Sequence, residues 1–201
     1  MKTDTAHRYW NDAWSDAAKR EKWEDPEERI ASFAAYLAPD SRVLDLGCGV
    51  GRHALMYAAQ GHQVAALDAA EDGLAELTRK ADLAGLVVET KLGKMDDLPF
   101  ADEMFNHVLS YNVIYHADED IMGRTIREIR RILRPGGTFQ GTMLTLRGLA
   151  MTHAKLPGGR KVSRNTWVFD DDEGDKRHPH QFCGTADLIR LFDGFEVLRL
   201  E

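Results

Sequence analysis

Cysteine is scarce in this chain: 201 residues carry two, Cys48 and Cys183. Two thiols do not make a disulfide framework, and their spacing matches no common zinc pattern. His178 and His180 flank Pro179 and could join Cys183, but that set is too sparse to predict a metal, so none is expected. No apolar run is long enough to span a membrane. The opening residues, Met1-Lys2-Thr3-Asp4-Thr5, lead into polar and aromatic positions and lack the apolar core of a signal peptide. A cytoplasmic protein without membrane contact is the expectation. A basic excess is lacking too. Lys and Arg number 26 against 33 Asp and Glu, a formal net charge of −7, which repels phosphate backbones and disfavours a nucleic-acid partner. The main exception is Arg124, Arg127, Arg130, Arg131 and Arg134, whose spacing fits the solvated side of one helix. Internal repeats and low-complexity tracts are absent. The length and the 43% hydrophobic content suit one globular domain over residues 1–201, as a monomer or homodimer.

What is present is an alternation of short apolar strands and amphipathic helices. From Thr3 to Arg20 the aromatics Trp10 and Trp14 are four apart, on one face of a helix. Asp25, Pro26 and Glu28 mark the start of a second helix, whose Ile30, Phe33, Ala34 and Leu37 form one stripe. Strands are then expected at 43–46, Gln63 to Asp68, Leu86 to Leu92, His107 to Asn112 and Thr138 to Thr145. Helices are expected at Gly51 to Gln60, Glu71 to Ala84 and Asp118 to Leu133, with Pro135-Gly136-Gly137 as a turn. Such alternation predicts an α/β fold: a doubly wound, mostly parallel sheet with helices on both faces, binding its ligand beyond the carboxyl ends of the strands. Residues 147–182 read as a long polar loop with an acidic run at Asp170-Asp171-Asp172-Glu173, functional or disordered. A last helix (Gly184 to Phe192) and a last strand (Phe195 to Leu200) follow.

Chemistry concentrates in Asp45-Leu46-Gly47-Cys48-Gly49-Val50-Gly51, directly after a strand and before a helix. Glycine admits backbone angles that other residues resist and lets a ligand approach the main chain, and the helix start offers unpaired amides. Three readings stand. A tight turn needs no ligand. A dinucleotide site requires a third glycine five positions after the first, where this chain has Arg52. S-adenosylmethionine, which carries an ammonium, suits an acidic residue ahead of the glycines. Asp68, at the end of the second strand, fits a ribose contact; the alternative is a cap for the helix near Glu71.

The string 43–52 resembles the first motif of class I S-adenosylmethionine-dependent methyltransferases. Asp97-Leu98-Pro99-Phe100 with Phe105 to Ser110, and Leu133-Arg134-Pro135-Gly136-Gly137, resemble further motifs of that family in the same order, over roughly residues 30–146. Tyr111 to His116 is similar to its small-molecule, tellurite-resistance-like branch. The resemblance implies a single Rossmann-like domain: an N-terminal helical lid (1–40), a cofactor-binding core (41–146), an acceptor-side insertion (147–182), and a final helix and strand (183–201). It places Asp45, Gly47, Cys48 and Gly49 around the methionine part of S-adenosylmethionine, Asp68 at the ribose and Ala69 against the adenine. Met95 and Asp96 flank the adenine edge, and Tyr111 and Asn112 lie beneath the sulfur. Tyr9, Trp10 and Trp14 match the lid. Lys94 and Asn106 stand where acidic residues are usual in the family. The family also ends in an antiparallel hairpin; here it is expected to be incomplete, or completed by Thr166 to Phe169.

The resemblance implies methyl transfer to an unidentified acceptor, most simply a small molecule, with S-adenosylhomocysteine as product. His116, beyond the fourth strand, is the candidate base or acceptor-binding residue, since histidine exchanges protons near neutrality; it could instead order its own loop. Tyr111 is the other catalytic candidate, although it and Tyr115 could be strand-edge core. A cofactor-binding protein without catalysis and a nicotinamide-dependent oxidoreductase are the alternatives.

Overall fold

The computed structural model describes residues 4–172 and 174–200. The expected helix start at Thr3, the reading of the opening residues as leaderless, and Glu173 of the acidic run touch positions outside them. In chain order the elements are α1 (Ala6–Ser15), α2 (Ala17–Arg20), α3 (Glu28–Ala34), β1 (Arg42–Leu46), α4 (Arg52–Ala59), β2 (Gln63–Asp68), α5 (Glu71–Ala84), β3 (Val88–Leu92), β4 (Phe105–Ser110), α6 (Glu119–Ile132) and β5 (Leu133–Gly141). After them come β6 (Leu144–Thr145), α7 (Leu146–Lys155), β7 (Arg160–Ser163), β8 (Thr166–Val168), β9 (His180–Cys183) and α8 (Thr185–Leu191).

The main sheet has the order β3-β2-β1-β4-β5, and every pairing in it is parallel. Alternate residues of each strand enter opposite cores. Leu44 and Leu46 of β1, with Ala65 and Leu67 of β2, meet Met122, Ile126 and Ile129 of α6. Val43, Val64 and Ala66 meet Ile30 of α3, Tyr57 of α4 and Leu77 of α5. Both faces are therefore buried, as a parallel sheet requires. Strand order reverses between β1 and β4, so the turns leaving these two strands open onto one crevice. The Pro135-Gly136-Gly137 segment is a bulge within β5 rather than a turn before it: Leu133 pairs with Phe105, and the ladder resumes at Thr138 with His107. Asn106 accepts the Arg42 amide at 2.9 Å, tying β4 to the start of β1.

Four expectations fail outside the core. Asp25 does not cap α3; Glu27 does, and it uses no side-chain bond. Its carbonyl accepts the Ile30 and Ala31 amides. Residues 147–182 are not an irregular loop: they hold most of α7, and β7–β9 join β6 in a second sheet, ordered β6-β9-β8-β7. Thr166–Val168 belongs to that sheet and pairs antiparallel with β7 and β9, so it does not complete a terminal hairpin on the main one. The expected last strand is also absent. Phe195 packs against Phe192 and Phe139, but Val197, Leu198 and Leu200 are exposed. An alternating pattern makes a strand only where a neighbouring strand accepts its hydrogen bonds, and among the described residues none lies there. No described helix is long and apolar enough to cross a membrane.

Of the arginine cluster, Arg124, Arg127 and Arg130 are exposed on α6, whereas Arg134 lies beyond that helix, exposed on β5. Arg131 is not merely solvated: it holds Glu128, Asp102 and the carbonyls of Leu98 and Phe100.

Candidate active site

The turn after β1 is a main-chain device. Gly47 and Gly49 both have positive φ, 75° and 52°, where a side chain is strained. Space is closed as well. A Cβ on Gly47 would lie 2.3 Å from Val113, and one on Gly49 would lie 2.8 Å from Trp14. The turn thus has the β4 loop on one side and the N-terminal helix on the other. Asp68 fastens it: Oδ2 accepts the Gly49 amide at 2.7 Å and Oδ1 the Ala70 amide at 2.8 Å. This is more than a helix cap, because it joins the ends of β1 and β2. Asp45, 2% exposed, accepts the Ala54 amide at 3.0 Å.

These carboxylates line a cavity of about 310 Å³. Burial pushes the Asp45 carboxyl up to about 7, with the negative charge of Asp68 adding to the effect. Burial raises Asp68 too, against the amides that hold it. Neither has an ion-pair partner among the described residues. A buried carboxylate without a cation is costly, so the cavity suits a ligand that brings donors and positive charge.

A tryptophan cluster roofs the cavity. Trp10 and Trp14 stack with centroids 5.0 Å apart, and Trp23 stands edge-on to both at 5.5 and 5.8 Å. Helix α1 is held down by Asn11, which exchanges two 3.1 Å bonds with Asp72 of α5. Lys94 reaches the same segment through Asp4 at 2.6 Å. The unusual lysine therefore latches the N-terminal segment. Trp14 Nε1 is buried on the wall without a hydrogen-bond partner among the described residues.

The expected residues Trp14, Asp45, Gly47, Cys48, Gly49, Asp68, Ala69, Met95, Asp96, Tyr111, Asn112 and His116 all line this cavity. Tyr9 does not. Successive helical residues point about 100° apart, and Tyr9 faces away from Trp14, under Arg177 at 5.6 Å and beside His178. Asp96 reaches the wall, but its carboxylate is engaged by Arg124 at 2.7 Å. Burial raises the Cys48 thiol, which therefore stays protonated and packs as a small apolar group. Sequence reasoning missed Trp23, Arg52 and His53 on the wall. The Arg52 guanidinium lies over the rings of Trp23 and Tyr111, at 5.0 and 5.5 Å.

His116 stands at the far end, with its ring 5.8 Å from Trp10. Its Nε2 contacts the Asn112 carbonyl at 3.0 Å, so it does order its own loop, as well as facing the cavity. Asn112 has φ 62°, a left-handed conformation that asparagine tolerates. Burial and the neighbouring His180 hold His116 well below the usual histidine range, hence neutral. The second sheet covers this loop, with the Gln181 amide donating to the Tyr115 carbonyl at 2.8 Å.

Known proteins extend the comparison. A methyltransferase domain family matches residues 43–137. A putative methyltransferase of Encephalitozoon cuniculi is 33% identical over 207 residues, spanning 96% of this chain and 87% of that protein. The sarcosine/dimethylglycine N-methyltransferase of Halorhodospira halochloris is 34% identical over 115 residues, 56% of this chain and 40% of its own length. This chain spans less than half the length of most curated relatives it matches. Among solved structures, the 1,6-didemethyltoxoflavin-N1-methyltransferase of Burkholderia thailandensis, with bound 1,6-didemethyltoxoflavin and S-adenosylhomocysteine, shares the fold. Its TM-score is 0.67 at 23% identity, over 92% of this chain and 74% of that one.

Proposed function

The chain belongs to the class I S-adenosylmethionine-dependent methyltransferases, and we propose that it transfers the methyl group to a small-molecule acceptor held between the tryptophan roof and the His116 loop. When bound, S-adenosylmethionine supplies an electrophilic methyl on a sulfonium. The observation that carries this reading is the pair of buried carboxylates, Asp45 and Asp68, on the wall of one cavity, neither in an ion pair among the described residues. They fit an ammonium and ribose hydroxyls, and they repel a pyrophosphate. Gly47 and Gly49 let the main chain approach the methionine part, Asp68 fixes the turn and takes the ribose, and Ala69, Met95 and Asp96 border the adenine.

The residues of this chain mainly align and dehydrate. Alignment of two reactants is worth about 7–11 kcal/mol. Trp10, Trp14 and Trp23 exclude water above the turn, which strengthens each electrostatic contact inside. Tyr111 is kept protonated by burial and by the negative charge of Glu27, and it lines the cavity beside Asn112. Neutral His116 is available to receive a proton from an acceptor that carries one. A cavity of about 310 Å³ and a net charge of −7 favour a small acceptor over a nucleic acid, in keeping with the small substrate named for the Halorhodospira relative.

A thermal melt tests the cofactor. S-adenosylhomocysteine at 100 times its Kd raises Tm by about 5–10 °C, and NADH leaves it unchanged. Gly49→Val abolishes the shift, because its side chain enters the Trp14 ring. A shift with NADH alone, or an undiminished shift in G49V, overturns the site. Labelled methyl transfer to small amines, thiols and phenols, against tRNA and protein fractions, tests the acceptor class.

A further inference from the structure

We propose that His116, Asp175 and His180 form a binding site for a first-row divalent cation of the zinc type at the acceptor end of the cavity. Asp175 opens a short 3-10 turn, Asp175–Arg177, and His180 opens β9 with its side chain fully buried. The three bring one ligand atom each within 4.8 Å of one another.

The hydrogen bonds determine which atoms these are. Nδ1 of His180 is 2.8 Å from the His178 carbonyl, and Nε2 of His116 is 3.0 Å from the Asn112 carbonyl. A ring nitrogen facing a carbonyl carries the hydrogen, so the other nitrogen of each ring is the one that can offer a lone pair to a metal ion. Those two lone pairs face Asp175: Nε2 of His180 is 3.2 Å from Oδ2 and Nδ1 of His116 is 3.8 Å from it. Lys176 lies by the other carboxylate oxygen, Oδ1, at 3.4 Å. Three acceptors thus converge with no donor between them. A proton on His180 would satisfy His180 and Asp175, yet Nδ1 of His116 would stay buried without a partner, as it is here. A metal ion satisfies all three.

Geometry and chemistry agree. Ligands at 2.0–2.1 Å around a tetrahedral zinc lie about 3.3 Å apart, close to the 3.2 and 3.8 Å edges found. Histidines whose second nitrogen is tied to a backbone carbonyl are the usual outer support of a metal site. Two imidazoles and one carboxylate leave a coordination position open. Because His116 also lines the cavity, that position is suited to an acceptor oxygen or nitrogen. This last role rests on the methyl transfer proposed above; the metal site does not. The set differs from the His178, His180 and Cys183 grouping that the sequence suggests: His178 Nδ1 bonds the Thr5 hydroxyl at 2.9 Å.

The test uses chelator-treated full-length protein without S-adenosylmethionine or S-adenosylhomocysteine. CoCl2 is added alone and absorbance is read between 500 and 700 nm; ZnCl2 is titrated against a chromophoric chelator. One equivalent of Co2+ with the intense bands of a four- or five-coordinate ion, displaced by Zn2+, is the expected result. D175N and H180Q lose at least tenfold in Zn2+ affinity while keeping the S-adenosylhomocysteine melt shift, which shows them folded. Cys183→Ser binds as the parent does. A parent protein without Co2+ bands, or a C183S variant that loses them, overturns the site whatever the other variants do. The melt with S-adenosylhomocysteine is read separately, so failure of the metal site and failure of the cofactor site are distinguishable.

Discussion

The two ends of the cavity are made differently. At the glycine turn the working groups are main-chain amides and two carboxylates, all within residues 45–70, joined by bonds such as Gly49 N–H to Asp68. At the His116 end they are side chains from distant segments: Trp10 from α1, His116 from the β4 loop, Asp175 from the turn before β9 and His180 from β9. The first end is specified by backbone conformation, which a short motif dictates. The second is specified by packing, which a motif does not dictate. The acceptor end is accordingly where members of one fold can differ while sharing a cofactor.

The strongest way to break this division is Trp14→Ala, since Trp14 belongs to both ends: it is stacked in the roof and also blocks the space above Gly49. Truncating a buried tryptophan costs about 3–5 kcal/mol. A lower Tm by urea or thermal melts, together with a weakened S-adenosylhomocysteine shift, is the expected outcome. If the melt falls but the affinity is unchanged, the roof is structural only and the cavity ends are independent. The bulky Gly49 variant sharpens the same point from the other side: in a W14A background the steric part of its cost disappears, while the strain of positive φ remains.

Legibility followed the same division. The strands Gln63–Asp68 and the helix Glu71–Ala84 have the bounds their patterns predict, because each carries its own period and flanking turn residues. Alternation predicts a parallel sheet with a switch point, but the place of that switch, between β1 and β4, is read from the strand order. By contrast, 147–182 carries little periodicity; β7, β8 and β9 are three or four residues each, too short for alternation to register. Phe195–Leu200 shows the opposite failure, a good strand pattern with no partner. Asp175 had no local signature at all. The one hint was the His178-Pro179-His180 cluster five residues on, which could not reveal that His116, far away in sequence, would face it.

Asp45 offers a smaller, quantitative test of the glycine end. Its carboxyl is at about 7 in the folded protein and near 3.9 when unfolded. The folded state therefore holds more protons between those values. Stability of the free protein falls as pH rises through that window and is flat above it. Ligand affinity runs the other way. The ligand's ammonium group needs the carboxylate, so below pH 7 binding must expel a proton. The affinity for S-adenosylhomocysteine at pH 6 is about tenfold weaker than at pH 8, or about 1.4 kcal/mol. Calorimetry at the two pH values measures it, and D45N flattens the dependence. An equal slope in D45N would mean that another group carries it.

The smallest effect concerns the latch. Lys94 and Asp4 form an exposed pair, 2.6 Å apart, and exposed pairs contribute about 0–1 kcal/mol, less in salt. Lys94→Gln should therefore barely move Tm. Its role is at the cofactor: Lys94 sits on the cavity wall while Asp4 belongs to the segment leading into α1, so losing the pair loosens the lid rather than the core. The expected outcome is a faster S-adenosylhomocysteine off-rate, by no more than about fivefold at low ionic strength, with the on-rate little changed. At 0.5 M salt the parent and the variant should converge, because screening has already removed the attraction in the parent. A salt-independent loss of affinity would instead make Lys94 a direct contact of the ligand, and the basic residue at this position would then be part of the cofactor site rather than of its lid.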